Sequence, residues 1–257
     1  MLNLSWVGNL KVTAVIPARN EEQNIGRVID ACRDFVDEVV VIIGNSHDET
    51  DQVAQRHGAR VVHQTTKGKG GAIVESRKYV DSGVIVFIDA DQSHDPSGIP
   101  LLTAPILAND ADMVIASRML GGSDELFTGV REFIRLMGGH ILTLLIAKRF
   151  KYPLTDSQNG FRAIRADVLD DLQLAQESFT IEMEMCIEAL RRGYTVLEVP
   201  AHEFRRSSGS SNINPLKLGP LYVFVCLRGI AKRNVRPTVN ATPELLDKYR
   251  PRWKDIP

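Results

Sequence analysis

"VIVFIDADQSHDP", residues 84–96, joins an unbroken apolar run to two carboxylates set one residue apart. Apolar side chains at consecutive positions, rather than alternate ones, mark a strand buried on both faces, the kind found in a parallel sheet covered by helices. Two like charges at the end of such a strand repel, and each costs energy to desolvate. Asp89 and Asp91 therefore need something to offset them. In an extended segment, residues i and i+2 point the same way, so both carboxylates can reach one ion. Oxygen donors suit Mg²⁺ or Mn²⁺, which also hold substrate phosphates. Gln92 and His94 follow within reach of the same ion or phosphate. Asp95-Pro96 has the form of a helix N-cap followed by its first residue.

The pattern repeats on either side of this stretch. "KVTAVIP" (11–17), "EVVVII" (38–43), "ARVVHQ" (59–64) and "DMVIAS" (112–117) are further apolar strands. Between them lie helical spacings over 20–35, with Asn20 as the expected N-cap, and over 46–58, 69–81 and 97–108. Strands alternating with helices predict an α/β fold built on a Rossmann-like, mostly parallel sheet with helices on both faces. Ligands of such sheets bind beyond the carboxyl ends of the strands. Pro17, Ile43 and Asp89 occupy those ends and are expected to line one crevice. The second half predicts a long apolar helix over 131–149, a turn and short strand over 156–165, a helix over 178–193 and a strand over 194–200. A basic, small-residue loop follows, "RRSSGSSN" (205–212).

Composition narrows the class. The chain has 257 residues, 44% hydrophobic and 25% charged, which is ordinarily globular. Lys and Arg number 31 against 32 Asp and Glu, so nucleic acid is not an expected partner. Cys32, Cys186 and Cys226 lie far apart, with no zinc spacing, and read as core residues in a reducing compartment. No basic segment precedes an apolar core at the N-terminus, and no apolar run approaches a membrane span. A cytoplasmic protein is the expectation.

Two other groupings carry chemistry. "TTKGKGGA" (65–72) places lysines and glycines at a strand-to-helix junction, where free N–H groups and ammonium charge can meet a diphosphate or remain a solvated loop. The spacing is neither a Walker A loop nor a dinucleotide fingerprint. Arg118, Arg131, Arg135, Arg162, Arg205 and Arg206 fall near strand ends, helix starts and polar loops, and a guanidinium suits phosphate recognition.

In order along the chain, "AVIPARNEEQNI", "GNSHDET", "KGKGGA", "FIDADQSHDP", "ASR", "DSQNGFRA", "FTIEME" and "EVPAHEFRRSSGSSN" resemble the motifs of family 2 glycosyltransferases. The branch that includes dolichyl-phosphate mannosyltransferases and polyprenyl-phosphate glycosyltransferases is the most similar. The resemblance spans about residues 11–212. It implies a GT-A fold over 1–212, with a nucleotide-binding half at about 11–117 and an acceptor half at about 118–212. Pro17, Ala18, Asn20 and Glu21 would lie against base and ribose, Asp48 in the acidic loop after the second strand, and Lys69 and Gly70 near ribose or diphosphate. Asp89, Asp91 and Gln92 would hold the metal, Mg²⁺ or Mn²⁺. Arg118, Arg131, Arg206, Gly209 and Ser211 would contact donor or acceptor phosphate. Asp156, Asn159, Gly160, Phe161, Glu182 and Glu184 would form the sugar and acceptor end.

The activity so implied is metal-dependent, inverting transfer of a sugar from a nucleotide-diphosphate-sugar (GDP- or UDP-sugar) to a polyprenyl phosphate. That acceptor is already ionised at neutral pH and needs no strong general base. Transfer to a small soluble acceptor such as a phosphorylated glycerate, and a catalytically silent nucleotide-sugar binder, remain alternatives. Two positions depart from the family pattern: Ile43 stands where relatives carry a base-contacting Asp, and Asn212 where a Lys often follows the late Gly-x-Ser. Residues 213–236, apolar and then basic, form either a core helix or a peripheral contact with an anionic membrane surface. The tail over 237–257 is expected to be extended.

Overall fold

The computed structural model describes residues 10–124, 129–206, 215–239 and 241–249. Its centre is one seven-stranded sheet in the order β3-β2-β1-β4-β6-β5-β7. The strands are β1 (Val12–Ala18), β2 (Glu38–Ile43), β3 (Arg60–His63), β4 (Val84–Phe87), β5 (Met113–Ser117), β6 (Arg162–Arg165) and β7 (Val196–Pro200). Every residue of β4 and β5 is buried, as their unbroken apolar runs require of strands covered on both faces.

The chain winds from β1 outward through β2 to β3, then returns to place β4 on the other side of β1. Val15 pairs with Val40 on one side and Phe87 on the other. Strand order thus reverses between β1 and β4, and crevices open at such switch points. β6 runs antiparallel to both β4 and β5, with Phe87 opposite Arg162. Its first residues therefore lie at the carboxyl ends of β4 and β5. One reversed strand in this way brings residues 156–161 to the same edge as Asp89.

The helices are α1 (Ile25–Cys32), α2 (Thr50–Arg56), α3 (Gly68–Glu75), α4 (Ile99–Leu107), a single turn α5 (Arg118–Gly121), α6 (Val130–Phe150), α7 (Ala166–Asp171), α8 (Ile181–Arg191), α9 (Pro215–Ala231) and α10 (Pro243–Tyr249). α4 packs on β4, β5 and β6, while α8 lies between α3, α6, α9 and β7. All residues of α8 from Ile181 to Leu190 are buried, so its three glutamates must be satisfied inside. Glu184 accepts from the backbone N–H groups of Ala175 and Gln176, each at 2.9 Å, and Glu188 pairs with Arg191 and Lys232.

Two sequence expectations change. Helix α1 begins at Ile25, not at Asn20. Asn20 adopts φ 55° and ties two loops together: its N–H donates to Ser46 Oγ, and its Oδ1 accepts from His47 N–H at 2.8 Å. The tail after 237 is not wholly extended but carries α10, held by Lys248 and Tyr249 on Asp110 at 2.6 Å each. With β6 antiparallel and its other pairings parallel, the sheet is mostly parallel, as expected.

Candidate active site

A crevice of about 610 Å³ opens over the carboxyl ends of β1 and β4. One wall comes from the end of β1 and the turn after it, Pro17, Ala18 and Glu21; the floor is Asp89 to Asp91. Ile42 of β2 and Gly44 just after it line the crevice, whereas Ile43 does not and is 3% exposed. Alternation along a strand explains this: neighbours face opposite sides. The position expected to reach the base is thus turned away.

The carboxylates are held by charge. Lys69, in the first turn of α3, places Nζ 2.5 Å from Asp89 Oδ1 and 2.8 Å from Glu182 Oε1. Burial opposes ionisation of Asp89, but Lys69, His94 and Arg206 together outweigh it and hold the carboxyl below its ordinary range. Burial likewise disfavours the Lys69 ammonium, yet Asp89 and Glu182 raise its pKa well above the usual value. Asp91 accepts from the Ser93 N–H at 3.0 Å and meets Arg206 Nη2 at 2.7 Å. His94 stacks on Phe161 with ring centroids 5.3 Å apart, its Nε2 3.9 Å from Asp89 Oδ2. Burial pushes the His94 imidazole pKa down despite that carboxylate.

At the far end, Arg118 clasps Asp156 and reaches towards Glu203, which in turn accepts from Ser123 Oγ at 2.6 Å. Asn159 donates to the Ala116 carbonyl at 2.6 Å and its Oδ1 accepts from Phe161 N–H, fixing the turn before β6. Arg162, though fully buried, donates to the carbonyls of Asn159, Ser157 and Glu182. It braces that turn and does not line the crevice. Glu21 accepts from Asn24 at 2.8 Å, and burial raises its pKa.

Of the residues read from the sequence, Pro17, Ala18, Glu21, Lys69, Asp89, Asp91, His94, Arg118, Arg135, Asn159, Gly160, Glu182 and Arg206 line this crevice, whereas Asp156, Phe161 and Glu184 do not. Asp48 lies apart: its carboxylate accepts from Thr50 and from the Glu22 N–H, joining the β1–α1 and β2–α2 loops. Gln92, at φ 64°, donates to Asn24 Oδ1 at 2.9 Å and does not line the crevice. Gly70 is packed under the 175–178 segment, donating its N–H to the Glu177 carbonyl at 3.0 Å, so it is not free to bind phosphate. Arg131 lies in the first turn of α6, but its side chain, like Gly209, Ser211 and Asn212, falls outside the described residues. Sequence reading missed Phe179, Glu203 and Tyr222, which line the crevice with Arg135. Tyr222 sits in an apolar run where only its hydroxyl, donating to the Phe179 carbonyl at 2.5 Å, sets it apart.

A second cavity of about 380 Å³ lies between α6 and α9, walled by Ile134, Ile141, Leu142, Leu218 and Val223. It meets the first at Arg118, Arg135, Gln158 and Tyr222, which line both. No helix among the described residues is long and apolar enough to cross a membrane.

Known proteins place this arrangement. The sequence model of "Glycosyl transferase family 2" matches residues 13–173. Glycosyltransferase AglJ of Haloferax volcanii is 30% identical over 227 residues, covering 87% of this chain and 73% of that protein. The undecaprenyl-phosphate mannosyltransferase of Micrococcus luteus is 30% identical over 239 residues, covering 87% and 96%. Among solved structures, glucosyl-3-phosphoglycerate synthase of Mycobacterium tuberculosis, in complex with Mn²⁺, UDP and phosphoglyceric acid, superposes with a TM-score of 0.70 at 24% identity, covering 88% of this chain and 81% of that one. At that identity the likeness speaks to the fold. Sheet, crevice and sequence agree: the chain belongs to glycosyl transferase family 2 and is a glycosyltransferase of the GT-A fold.

Proposed function

We propose that the protein transfers a sugar from a nucleoside-diphosphate-sugar to a polyprenyl phosphate, with inversion and with a divalent cation. The observation that carries this reading is the apolar cavity between α6 and α9 that meets the polar crevice at Arg118 and Arg135. A phosphate head at the arginines with an apolar chain running between the helices fits that junction. Exposed Ile141, Leu144, Phe224 and Leu227 on the same two helices, with Lys148, Arg149, Arg228 and Arg233 at their ends, suit peripheral contact with an anionic membrane surface.

The donor set fits Mg²⁺ or Mn²⁺. Asp89 and Asp91 supply hard oxygens, and no group of three His, Cys, Asp or Glu is gathered for a metal among the described residues. Such ions commonly take one or two carboxylates and complete their shell with substrate phosphates and water. A bound cation supplies charge neutralisation for the departing nucleoside diphosphate. Lys69 and Arg206 add positive charge at the same place, and Arg118 and Arg135 orient the acceptor phosphate. The acceptor oxygen is already anionic, so no carboxylate in the crevice has to take its proton. Pro17, Ala18 and Glu21 form the base-side wall.

The experiment is a transfer assay with UDP-, GDP- and dTDP-sugars against undecaprenyl phosphate, dolichyl phosphate and 3-phosphoglycerate, with Mn²⁺ or EDTA. Product on a prenyl phosphate that vanishes with EDTA supports the reading. Product on 3-phosphoglycerate alone replaces the acceptor, and EDTA-resistant transfer removes the metal.

A further inference from the structure

Both carboxylates at the end of β4 are already met by basic side chains from distant parts of the chain. Lys69 sits 2.5 Å from Asp89, and Arg206 sits 2.7 Å from Asp91. The first contact is built into the fold. Gly68 and Gly70 flank Lys69, and a Cβ on either would come within 2.1 Å of the Glu177 or Gln176 carbonyl, so α3 starts hard against that segment. Gly160 leaves room on the other side: a Cβ there would fall 2.7 Å from both Lys69 Nζ and Asp89 Oδ2. Glu182, 2% exposed, holds the ammonium from behind. Arg206 is less enclosed, on the segment leaving β7, and can swing away.

These two cations stand where a divalent ion would neutralise Asp89 and Asp91. They are also the groups best suited to diphosphate oxygens. We propose that Lys69 and Arg206 are internal counter-cations, which neutralise the carboxylate pair while the crevice is empty and shift to the diphosphate when the donor nucleotide enters, freeing Asp89 and Asp91 for the divalent cation. This rests on the reading of those two aspartates as cation ligands. Metal and nucleotide are then coupled: each tightens the other, by the same factor. An already neutralised carboxylate pair binds the ion weakly by itself.

The test is Mn²⁺ binding to the full chain, followed by electron paramagnetic resonance of free Mn²⁺, alone and with UDP, GDP or dTDP. The wild type is expected to bind Mn²⁺ at least about tenfold more tightly with its nucleotide, within the usual range of such couplings. Lys69→Met is expected to bind Mn²⁺ alone about tenfold more tightly than wild type, to bind the nucleotide more weakly without metal, and to lose most of the coupling. Lys67→Met removes the same charge from the crevice lip without breaking a pair, and shifts Mn²⁺ affinity by less than about threefold at a surface site. The double variant Lys69→Met/Glu182→Gln keeps the buried charge balanced and must behave as Lys69→Met does. If Lys69→Met binds Mn²⁺ alone no better than a wild type that does bind it with nucleotide, the proposal fails and the metal reading stands. If no protein binds Mn²⁺ under any condition, both fail.

Discussion

Arg118 and Asp156 face each other fork to fork: Nε lies 2.7 Å from Oδ2 and Nη2 2.9 Å from Oδ1, with the Arg118 backbone N–H on Oδ2 at 3.2 Å. Burial works against both charges, yet each holds the other ionised, so the Asp156 pKa is lowered and the Arg118 pKa raised. The pair fixes the guanidinium at the junction of the two cavities. Arg118→Lys keeps the charge but loses the planar two-point grip. A misplacement of about 1 Å can cost on the order of a hundredfold in rate, and that is the fall expected in kcat/KM, with the fold intact by circular dichroism. Asp156→Asn instead strands a buried charge and should cost about 3–5 kcal/mol of stability, read from a denaturation midpoint.

Asp89 and Asp91 should respond differently to the loss of charge. Asp89 has the buried Lys69 against it, so Asp89→Asn leaves an ammonium with only Glu182 for company. Asp91 pairs with the more exposed Arg206, which can turn to water. Both Asp→Asn variants should lose sugar transfer by on the order of a hundredfold or more, as expected when one group stabilising the transition state is removed. Only Asp89→Asn should also lower the thermal midpoint clearly. Equal stability losses in the two variants would contradict the difference in enclosure.

Glu75 ties the loop before α3 to the helix. Its carboxylate accepts from Thr65 N–H and Oγ1 at 3.0 and 2.8 Å, and from Thr66 N–H and Oγ1 at 3.1 and 2.9 Å. Burial would raise its pKa, but those hydrogen bonds lower it from 4.5 to about 2. A depressed carboxyl contributes stability that is complete above its unfolded pKa and is lost as pH falls through the folded one. The window is therefore pH 4.5 down to about 2. Glu75→Gln should be less stable by about 1.5–3 kcal/mol at pH 7. Urea midpoints of variant and wild type should converge as the pH drops through that window.

The sheet was readable because its evidence is local. Unbroken apolar runs at 39–43, 84–88 and 113–116, short and mostly rich in β-branched residues, read as strands buried on both faces. The direction of β6 was not readable, since "RAIR" looks the same run either way; the return of the chain after α6 decides it. Asp89 and Asp91 stood out by spacing alone. Their partners Lys69, Glu182 and Arg206 come from three other segments, and only the closed fold sets those charges together. Asn20, Asp48 and Gln92 have the right chemistry for a ligand but are occupied by neighbouring loops.

By sequence the glycines of "KGKGGA" can meet a diphosphate or remain a solvated loop, and their packing makes a different prediction. Gly70 is buried, and a Cβ there would lie 2.1 Å from the Gln176 carbonyl oxygen and 2.9 Å from carbonyl carbons beside it. Those are backbone atoms and cannot turn aside as a side-chain tip does. Gly70→Ala must therefore push α3 off the 175–178 segment, moving Lys69 away from Asp89 and Glu182. Overpacking of this sort costs about 1–3 kcal/mol, and the displaced lysine should weaken nucleotide binding as well. Gly138, in the middle of α6, is the counterpart: a Cβ there meets nothing within 4 Å. Gly138→Ala should raise stability by roughly 0.5–1 kcal/mol, because alanine loses less backbone freedom in a helix. Thermal midpoints for the two variants should move in opposite directions. A neutral Gly70→Ala would show that the segment over α3 yields, and that the glycine is there for the ligand after all.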